Sequence, residues 1–448
     1  MSSPDPIALT PPDDAIVARL VAAIATLTPE GPTPVVERSK AGFSSDYQSG
    51  AAMQLARVLR RPPKDIADSI VAAFVADGLV EPPDVSGPGF IGFRLTPETQ
   101  STALRTMLAS DRLGVPAVTE GTVVIDFSSP NVAKRMHVGH IRSTIIGDAL
   151  RRLGAFLGYR VIADNHIGDW GTQFGQLIWA WKHWRDDAAY ALDPVAELER
   201  LYVAFNVKVG EEPAAQELAR AELAKLQAGD PENRAIWQQM IDSSRGAFDS
   251  VYARLGVHFD VTHGESFYND ALQPLVDRLL ADGTAELSEG AAVIFFRDDE
   301  GQDRMPPFLI RKSDGAALYA TTDIATVEHR MATWAPERIV YVTDTRQQNH
   351  FRQLFAVAER MGVTARLDHV WFGMMSLPEG AFSTRAGNAP PLHELLDEAE
   401  ARARAQQEAR LREIGETWPE EELVALAQMI GLGAVKYADL SNNPQTNI

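Results

Sequence analysis

Ser128-Ser129-Pro130-Asn131-Val132-Ala133-Lys134-Arg135-Met136-His137-Val138-Gly139-His140 is the stretch on which the fold of this 448-residue chain turns. Thr122–Phe127, a β-rich apolar run bounded by Gly121, precedes it, and apolar residues at helical spacing follow from Ile141 to Leu157, where Gly158 stops the helix. Arg160–Ala163 reads as the next strand. Strand, loop, helix and strand in this order imply a parallel sheet with ligands at the C-terminal ends of its strands. His137 and His140 then stand where a helix begins, so both rings and free backbone N–H groups can face one anion. Gly139 between them admits a bulky ligand close to the backbone. A nucleotide phosphate is the favoured reading. A metal would need a third ligand, of which none stands at suitable spacing, and two satisfied structural histidines are the plain alternative.

Outward from this unit, residues 1–110 read as a small α/β domain with helices at Ile16–Leu27, Gln48–Leu59 and Ile66–Ala76 and a strand within Gly87–Leu95. Gly87-Pro88-Gly89-Phe90-Ile91-Gly92 spells a dinucleotide fingerprint in letters only. A strand-like run rather than a helix follows it, so a hairpin bend is expected. After a helical linker, Thr99–Leu113, residues 111–184 form the first half of a catalytic sheet domain, ending in the Trp-rich helix Leu177–Trp184. Residues 185–290 form a mostly helical insertion. The second half, 291–390, supplies strands at Ala292–Phe296, Phe308–Ile310, Arg338–Thr343 and His369–Phe372 and helices at Thr322–Ala332 and Asn349–Met361. Two long helices, Leu392–Glu413 and Glu420–Tyr437, fill a stem region at 391–448.

Zero cysteines exclude disulfides, thiol catalysis and cysteine-held zinc. No apolar run reaches the roughly 18 residues that would suggest a membrane span, and the acidic, Pro-rich opening lacks the features of a signal peptide, so a cytoplasmic protein without a membrane partner is expected. The 42 basic and 61 acidic residues give −19, which at face value argues against a nucleic-acid partner. The average conceals a division, because residues 111–180 carry 7 basic and 6 acidic groups and the acid is concentrated beyond them. The N-terminal domain keeps Arg57, Arg60, Arg61 and Lys64 together, a candidate phosphate-contacting edge.

The run Asp126–Gly147, followed by Asn165–Gly175 (NHIGDWGTQFG), closely resembles arginyl-tRNA synthetase, with His137–His140 as the HIGH-type signature of class I synthetases. Tyr47–Ala56 with Gly87–Leu95, then Leu318–Ala325, Tyr341–Phe351, Phe372–Asn388 and Gly433–Ser441, resemble family segments in the family's order. The resemblance implies an α/β fold: a Rossmann-like parallel-sheet catalytic domain with a helical insertion, plus a small N-terminal additional domain that contacts the outer corner of tRNA. It also implies activation of L-arginine with ATP and Mg²⁺, transfer to the terminal adenosine of tRNA(Arg), a monomer, and neither a tightly bound cofactor nor a resident metal.

Residue by residue, the resemblance makes His137, His140, Lys134 and Arg385 catalytic. It assigns arginine to Asp126, Asn131, Tyr319, Asp323 and Gln347, and ATP to His137, Gly139, His140, Asp169, Met374, Met375, Ser383, Thr384 and Arg385. Planar acceptors suit a guanidinium, which presents five donors in a fixed fork and keeps its charge. Gln348 is a close rival of Gln347. The chain departs from the family's second signature, KMSKS: Gly380–Asn388 retains only Arg385 as a cation, which raises the importance of Lys134. It also lacks the C-terminal anticodon-binding domain that family members carry beyond the segment like Gly433–Ser441. Two further readings therefore stand beside the ligase: a regulatory chain that only binds arginine or ATP, and an activator of arginine for another acceptor.

Overall fold

The computed structural model describes residues 11–29, 31–40, 42–118, 120–298, 300–375 and 390–448. The chain divides into two compact units, Met1–Val118 and Thr119–Ile448. In the first, α1 (Pro12–Ala25), α2 (Ala51–Leu59) and α3 (Pro63–Ala73) cover a four-stranded antiparallel sheet in the order β1 (Val36–Arg38), β2 (Tyr47–Ser49), β4 (Phe90–Phe93), β3 (Asp84–Ser86). Its core joins Leu20, Leu55, Ile66 and Ile70 to Ile91 and Phe93. Gly87 and Gly89, both at positive φ, make the bend between β3 and β4, so the glycine-rich letters belong to a hairpin. α4 (Pro97–Leu108), capped by Thr96, leads out of this unit.

The second unit is built on four parallel strands in the order β11 (Arg366–Phe372), β10 (Arg338–Asp344), β5 (Thr122–Asp126), β6 (Arg160–Asp164). Burial of Val124, Ile125, Ile339 and Val342 explains why these strands read as continuous apolar runs. α5 (Gly139–Leu157) links β5 to β6 and ends at Gly158 in the left-handed region. It lies so close to the end of β5 that a Cβ on Gly147 would stand 2.2 Å from Phe127. α6 (Thr172–Trp184), α7 (Asp187–Leu192), α8 (Pro194–Glu211), α9 (Ala215–Gln227) and α10 (Pro231–Leu255) form the helical insertion, with Phe174, Leu198, Leu201 and Phe205 at its centre.

Beyond α11 (Asn269–Ala281), the outcome departs from the sequence expectation. Ala292–Phe296 and Phe308–Ile310 do not extend the parallel sheet. They belong to β8 (Ala291–Arg297) and β9 (Asp303–Arg311), which with β7 (Glu286–Ser288) make a separate antiparallel sheet. The short turn between β8 and β9 is too brief for a crossover and dictates antiparallel pairing. α12 (Tyr319–Trp334) and α13 (Gln348–Arg360) frame β10, and α14 (Leu392–Ile414) pairs with α15 (Glu420–Leu440). α15 is the one described helix whose length and composition would suffice for a membrane span, an exception to the sequence reading. Its Leu423, Ala427 and Gly431 are buried, with Gly431 against the backbone of Ala399 in α14.

Candidate active site

The loop between β5 and α5 is held in an unusual conformation. Ser128, Ser129 and Ala133 all have positive φ, a costly state for residues with a Cβ. Surrounding bonds over-determine it. The Ser128 N–H donates to Ser143 Oγ at 2.9 Å, the Ser129 N–H to Asn165 Oδ1 at 3.1 Å, and the Ala133 N–H to Ser244 Oγ at 2.9 Å. Asn131 bridges to Gly168, where any Cβ would stand 2.1 Å from Asn131 Oδ1. This loop borders a cavity of about 1260 Å³ at the C-terminal ends of β5, β10 and β11, closed on another side by α8.

At the start of α5 the histidines do something the sequence did not suggest. Gly139 N–H donates to His137 Nδ1 and His137 N–H donates to His140 Nδ1, each at 3.1 Å, while Val138 N–H donates to the Pro390 carbonyl. The expectation of free backbone N–H groups facing an anion is thereby corrected, because ring nitrogens and a neighbouring carbonyl already take them. With Nδ1 accepting, the ring proton is assigned to Nε2 in both cases. Burial, then Lys134 and Arg346, lowers His137 to about 4, and burial, then His137, lowers His140 to about 3. Both rings are neutral at physiological pH. Each offers one Nε2–H donor.

Asn131, Lys134, His137, Gly139, His140, Gln347, Met374 and Met375 line the cavity together. Gln348 is instead turned away, its Nε2 donating to Thr345 Oγ1 at 2.7 Å. Lys134 Nζ lies 4.6 Å from the centre of the Tyr202 ring. Arg346, which the sequence reading passed over, also lines the cavity and bonds Asp344 at 2.6 Å. Its position just past β10, at the binding edge of a parallel sheet, was the available signal. Ser383, Thr384 and Arg385 lie outside the described residues.

Asp126, Asp169, Tyr319 and Asp323 do not belong to that lining. Asp126 Oδ2 accepts from Arg330 Nη2 at 2.6 Å and its Oδ1 from Ser129 Oγ at 3.0 Å. The fully buried Arg330 also donates to Asp164 from Nε at 3.1 Å and Nη2 at 2.8 Å. A guanidinium of the protein therefore occupies the carboxylate assigned to substrate. Asp169 accepts from Ser266 N–H at 2.8 Å and Ser266 Oγ at 2.6 Å, an approach permitted because residue 264 is glycine. Tyr319 begins α12 and Asp323 stands one turn on, where Asp323 Oδ2 is 2.6 Å from His350 Nε2.

Glu265 is the acidic residue that the sequence did not reveal. Burial, then the nearby charges of Asp323 and Asp169, pushes its carboxyl up to about 8 against a single backbone N–H from Trp170. Asp169 is raised by burial as well. Tyr341 Oη and both ring nitrogens of His166 are buried without a hydrogen-bond partner among the described residues. Such groups normally meet water or a guest. No group of three or more His, Asp or Glu is placed to hold a metal ion among the described residues.

A parallel sheet with its cavity at the strand ends, a HIGH-type turn opening α5 and a helical insertion together define a class I aminoacyl-tRNA synthetase catalytic domain. The family model for class I tRNA synthetases (R), catalytic domain, matches residues 103–448, and that for the arginyl-tRNA synthetase N-terminal domain matches residues 14–95. The arginine–tRNA ligase of Fusobacterium nucleatum is 43% identical over 403 residues, covering 90% of this chain and 69% of its own length. That of Synechococcus elongatus is 42% identical over 411 residues, covering 90% and 70%. The crystal structure of arginyl-tRNA synthetase from Plasmodium falciparum superposes with a TM-score of 0.80 at 25% identity, covering 99% of this chain and 76% of that one. The Thermus thermophilus structure shares the fold at a TM-score of 0.74 and 23% identity, covering 97% and 76%. The chain belongs to the arginyl-tRNA synthetase family, ATP-dependent ligases that join arginine to tRNA.

Proposed function

We propose that this chain activates L-arginine with ATP and transfers it to tRNA(Arg), and that the cavity beside His137 and His140 holds the ATP. In the first step the arginine carboxylate oxygen forms a bond to the α-phosphorus. The bond from that phosphorus to the bridging oxygen breaks, and pyrophosphate leaves with its charge, accompanied by the Mg²⁺ that travels with ATP. In the second, a ribose hydroxyl of the terminal adenosine attacks the arginyl carbonyl and AMP leaves. Neither step requires a protein nucleophile, so catalysis reduces to positioning and charge stabilisation. The Nε2–H groups of His137 and His140 donate to phosphate oxygens, and Lys134 and Arg346 supply positive charge around them. Asn131 and Gln347 hold the α-amino and carboxylate groups of arginine. Arg385 would complete the cationic set.

The observation that carries the choice of arginine is the acidic cluster of Glu265, Asp323 and Asp169, in which Glu265 retains its proton to about 8. A guanidinium entering beside Glu265 favours the carboxylate and lowers that value again, so binding expels a proton. Arginine affinity should therefore rise as the pH goes from 6 to 8, by at most about tenfold per unit, and level off above 8. Calorimetry in buffers of different ionisation enthalpy counts the proton, and Glu265→Gln flattens the profile. An arginine Kd that stays constant from pH 6 to 8 in the parent overturns this assignment.

The decisive experiment on function is ATP–pyrophosphate exchange with arginine, measured with and without tRNA and repeated with lysine. Arginine-dependent exchange, followed by charging of tRNA, is expected. Saturable arginine binding without exchange under any condition would mark a non-catalytic binder, and exchange without tRNA charging would point to another acceptor. Within this scheme Lys134→Ala lowers kcat/KM for exchange by about 10- to 100-fold, or roughly 1.4–2.7 kcal/mol. A change within twofold removes Lys134 from the phosphate site.

A further inference from the structure

Arg142 stands in the first turn of α5, three residues beyond Gly139, and its side chain is completely buried while bordering the cavity. Its Nε donates to both carboxylate oxygens of Asp439 in the last turn of α15, at 3.2 and 3.1 Å. Its Nη1 donates to two carbonyls, those of Gly373 at 2.7 Å and Thr446 at 2.9 Å. The guanidinium carbon lies 5.6 Å from the centre of the Phe372 ring. One side chain thus joins three segments far apart in sequence: the HIGH-type helix, the end of β11, and the stretch that follows α15.

That last stretch is strapped to the end of β11 by its own bonds. Gly373 N–H donates to the Pro444 carbonyl at 2.9 Å, Met374 N–H to Asn447 Oδ1 at 2.8 Å, and Ile448 N–H to the Met374 carbonyl at 3.0 Å. The contact is close enough that a Cβ on Gly373 would stand 2.5 Å from the Thr446 carbonyl oxygen. Phe372, Gly373, Met374 and Met375 meanwhile form cavity wall. The Gly373 N–H and both polar groups of Met374 are therefore engaged by residues 444–448, and the Gly373 carbonyl by Arg142, which fixes what this piece of backbone presents to the cavity.

The arrangement is costly as a mere tether. Burying a guanidinium and a carboxylate together requires good geometry and extra hydrogen bonds to offset desolvation, and apolar contacts hold two helices together at lower cost. What an apolar contact cannot do is fix the positions of two carbonyls from different segments at once. A planar cation with several donors does.

We infer that Arg142, Asp439 and residues 444–448 form a positioning assembly that holds Gly373–Met375 in the geometry the nucleotide requires, with Arg142 as its central positioning residue. The inference rests on the reading of the cavity as the ATP site. The assembly makes ATP binding depend on contacts at the end of α15 while leaving the acidic arginine cluster untouched. Anything that displaces the tail from Gly373 therefore weakens ATP binding selectively.

The test uses the full chain with Asn447→Ala, which removes the bond to Met374 from an exposed side chain, and Gly373→Ala, whose new methyl is directed at the tail. Asp439→Asn and Asp439→Glu probe the buried pair. Pyrophosphate exchange is titrated separately in ATP and in arginine, with tRNA present, and ATP binding is measured directly by calorimetry. In Asn447→Ala and Gly373→Ala, KM for ATP should rise by about 5- to 20-fold while KM for arginine stays within about twofold and the melting temperature stays near the parent's. Asp439→Asn should show the same split, and Asp439→Glu should recover most of the loss. An ATP KM within about twofold of the parent in both Asn447→Ala and Gly373→Ala overturns the inference, and so does a parallel rise of both KM values, the mark of a merely structural role. A parent that neither binds ATP nor supports exchange overturns the reading of the cavity and this inference with it. Normal parental activity beside unaffected variants overturns the inference alone.

Discussion

Asp323→Ala raises the arginine concentration needed for half-maximal pyrophosphate exchange by about 30- to 1000-fold, roughly 2–4 kcal/mol, and leaves the ATP dependence within about twofold. Asp323 stands one turn into α12, and His350 anchors one of its oxygens. It is also the charge that acts most strongly, after burial, to keep Glu265 protonated. Removing it deprives the substrate of one acceptor and leaves a guanidinium beside fewer charges in a half-buried site. It also relieves Glu265, whose pKa should fall. The pH dependence of arginine binding therefore moves to lower pH in Asp323→Ala as well as weakening, a double signature that a general loss of structure does not reproduce. Asp323→Asn should lie between parent and alanine variant, because the amide retains one acceptor. An arginine KM within threefold of the parent, with intact ATP binding, would remove Asp323 from the substrate pocket.

The parts of the fold that were legible in the sequence are those set by local pattern. Thr122–Phe127, the helical spacing to Leu157 and Gly158 as a stop give β5, α5 and β6 within a residue or two, because burial on both faces and a left-handed cap write themselves into adjacent residues. Phe308–Ile310 misled because an apolar strand looks the same in either kind of sheet, and only the length of the turn from β8 distinguishes them. Within the site, the order of His137, Gly139 and His140 placed both rings at the start of a helix beside the cavity, but their capping geometry follows from ring orientation. Asp126 was legible as an acid at the end of a strand. Its commitment to Arg330 depends on a residue 204 positions away, and the placement of Asp164 on the same cation spans 166. Glu265 had no signature at all. Its raised pKa arises first from burial and then from packing that brings it near Asp323 and Asp169, groups that no spacing rule connects.

Arg330 sharpens the account of selectivity. By pairing with Asp126 and Asp164 from within, it engages two carboxylates that a substrate would otherwise meet; burial alone would lower its pKa, and the charges of the two acids outweigh that and hold it well above the ordinary value. In the proposed arrangement, the charge left to meet an incoming cation is that of Glu265, Asp323 and Asp169. Glu265, pushed up to about 8 by burial and then by the charges of Asp323 and Asp169, holds its own charge back until a cation arrives, which limits the cost of an empty acidic pocket.

The second large effect is expected at His140. The ring serves two purposes that can be separated: Nδ1 accepts from the His137 N–H and shapes the turn, while Nε2–H is the donor that the proposed ATP site uses. Asparagine places an acceptor near Nδ1 and has nothing at Nε2, so His140→Asn keeps the turn and deletes the donor. Glutamine reaches the Nε2 position with an amide N–H and forfeits the cap. A hydrogen bond donated to charge that develops on the phosphates is worth roughly 2.7–4 kcal/mol, so His140→Asn should lose about 10²- to 10³-fold in kcat for pyrophosphate exchange, with KM for arginine within about twofold. His140→Gln should retain more activity than His140→Asn while melting at a lower temperature. The order of these two variants discriminates between roles, since a structural histidine would favour asparagine over glutamine in activity as well as in stability. Because burial holds the ring near 3, it carries no charge to lose between pH 6 and 8, and the ratio of parent to variant rates should be flat across that interval. A ratio that follows a titration near pH 6.5 would mean that an imidazolium performs the step and that the neutral-donor account of this turn is wrong.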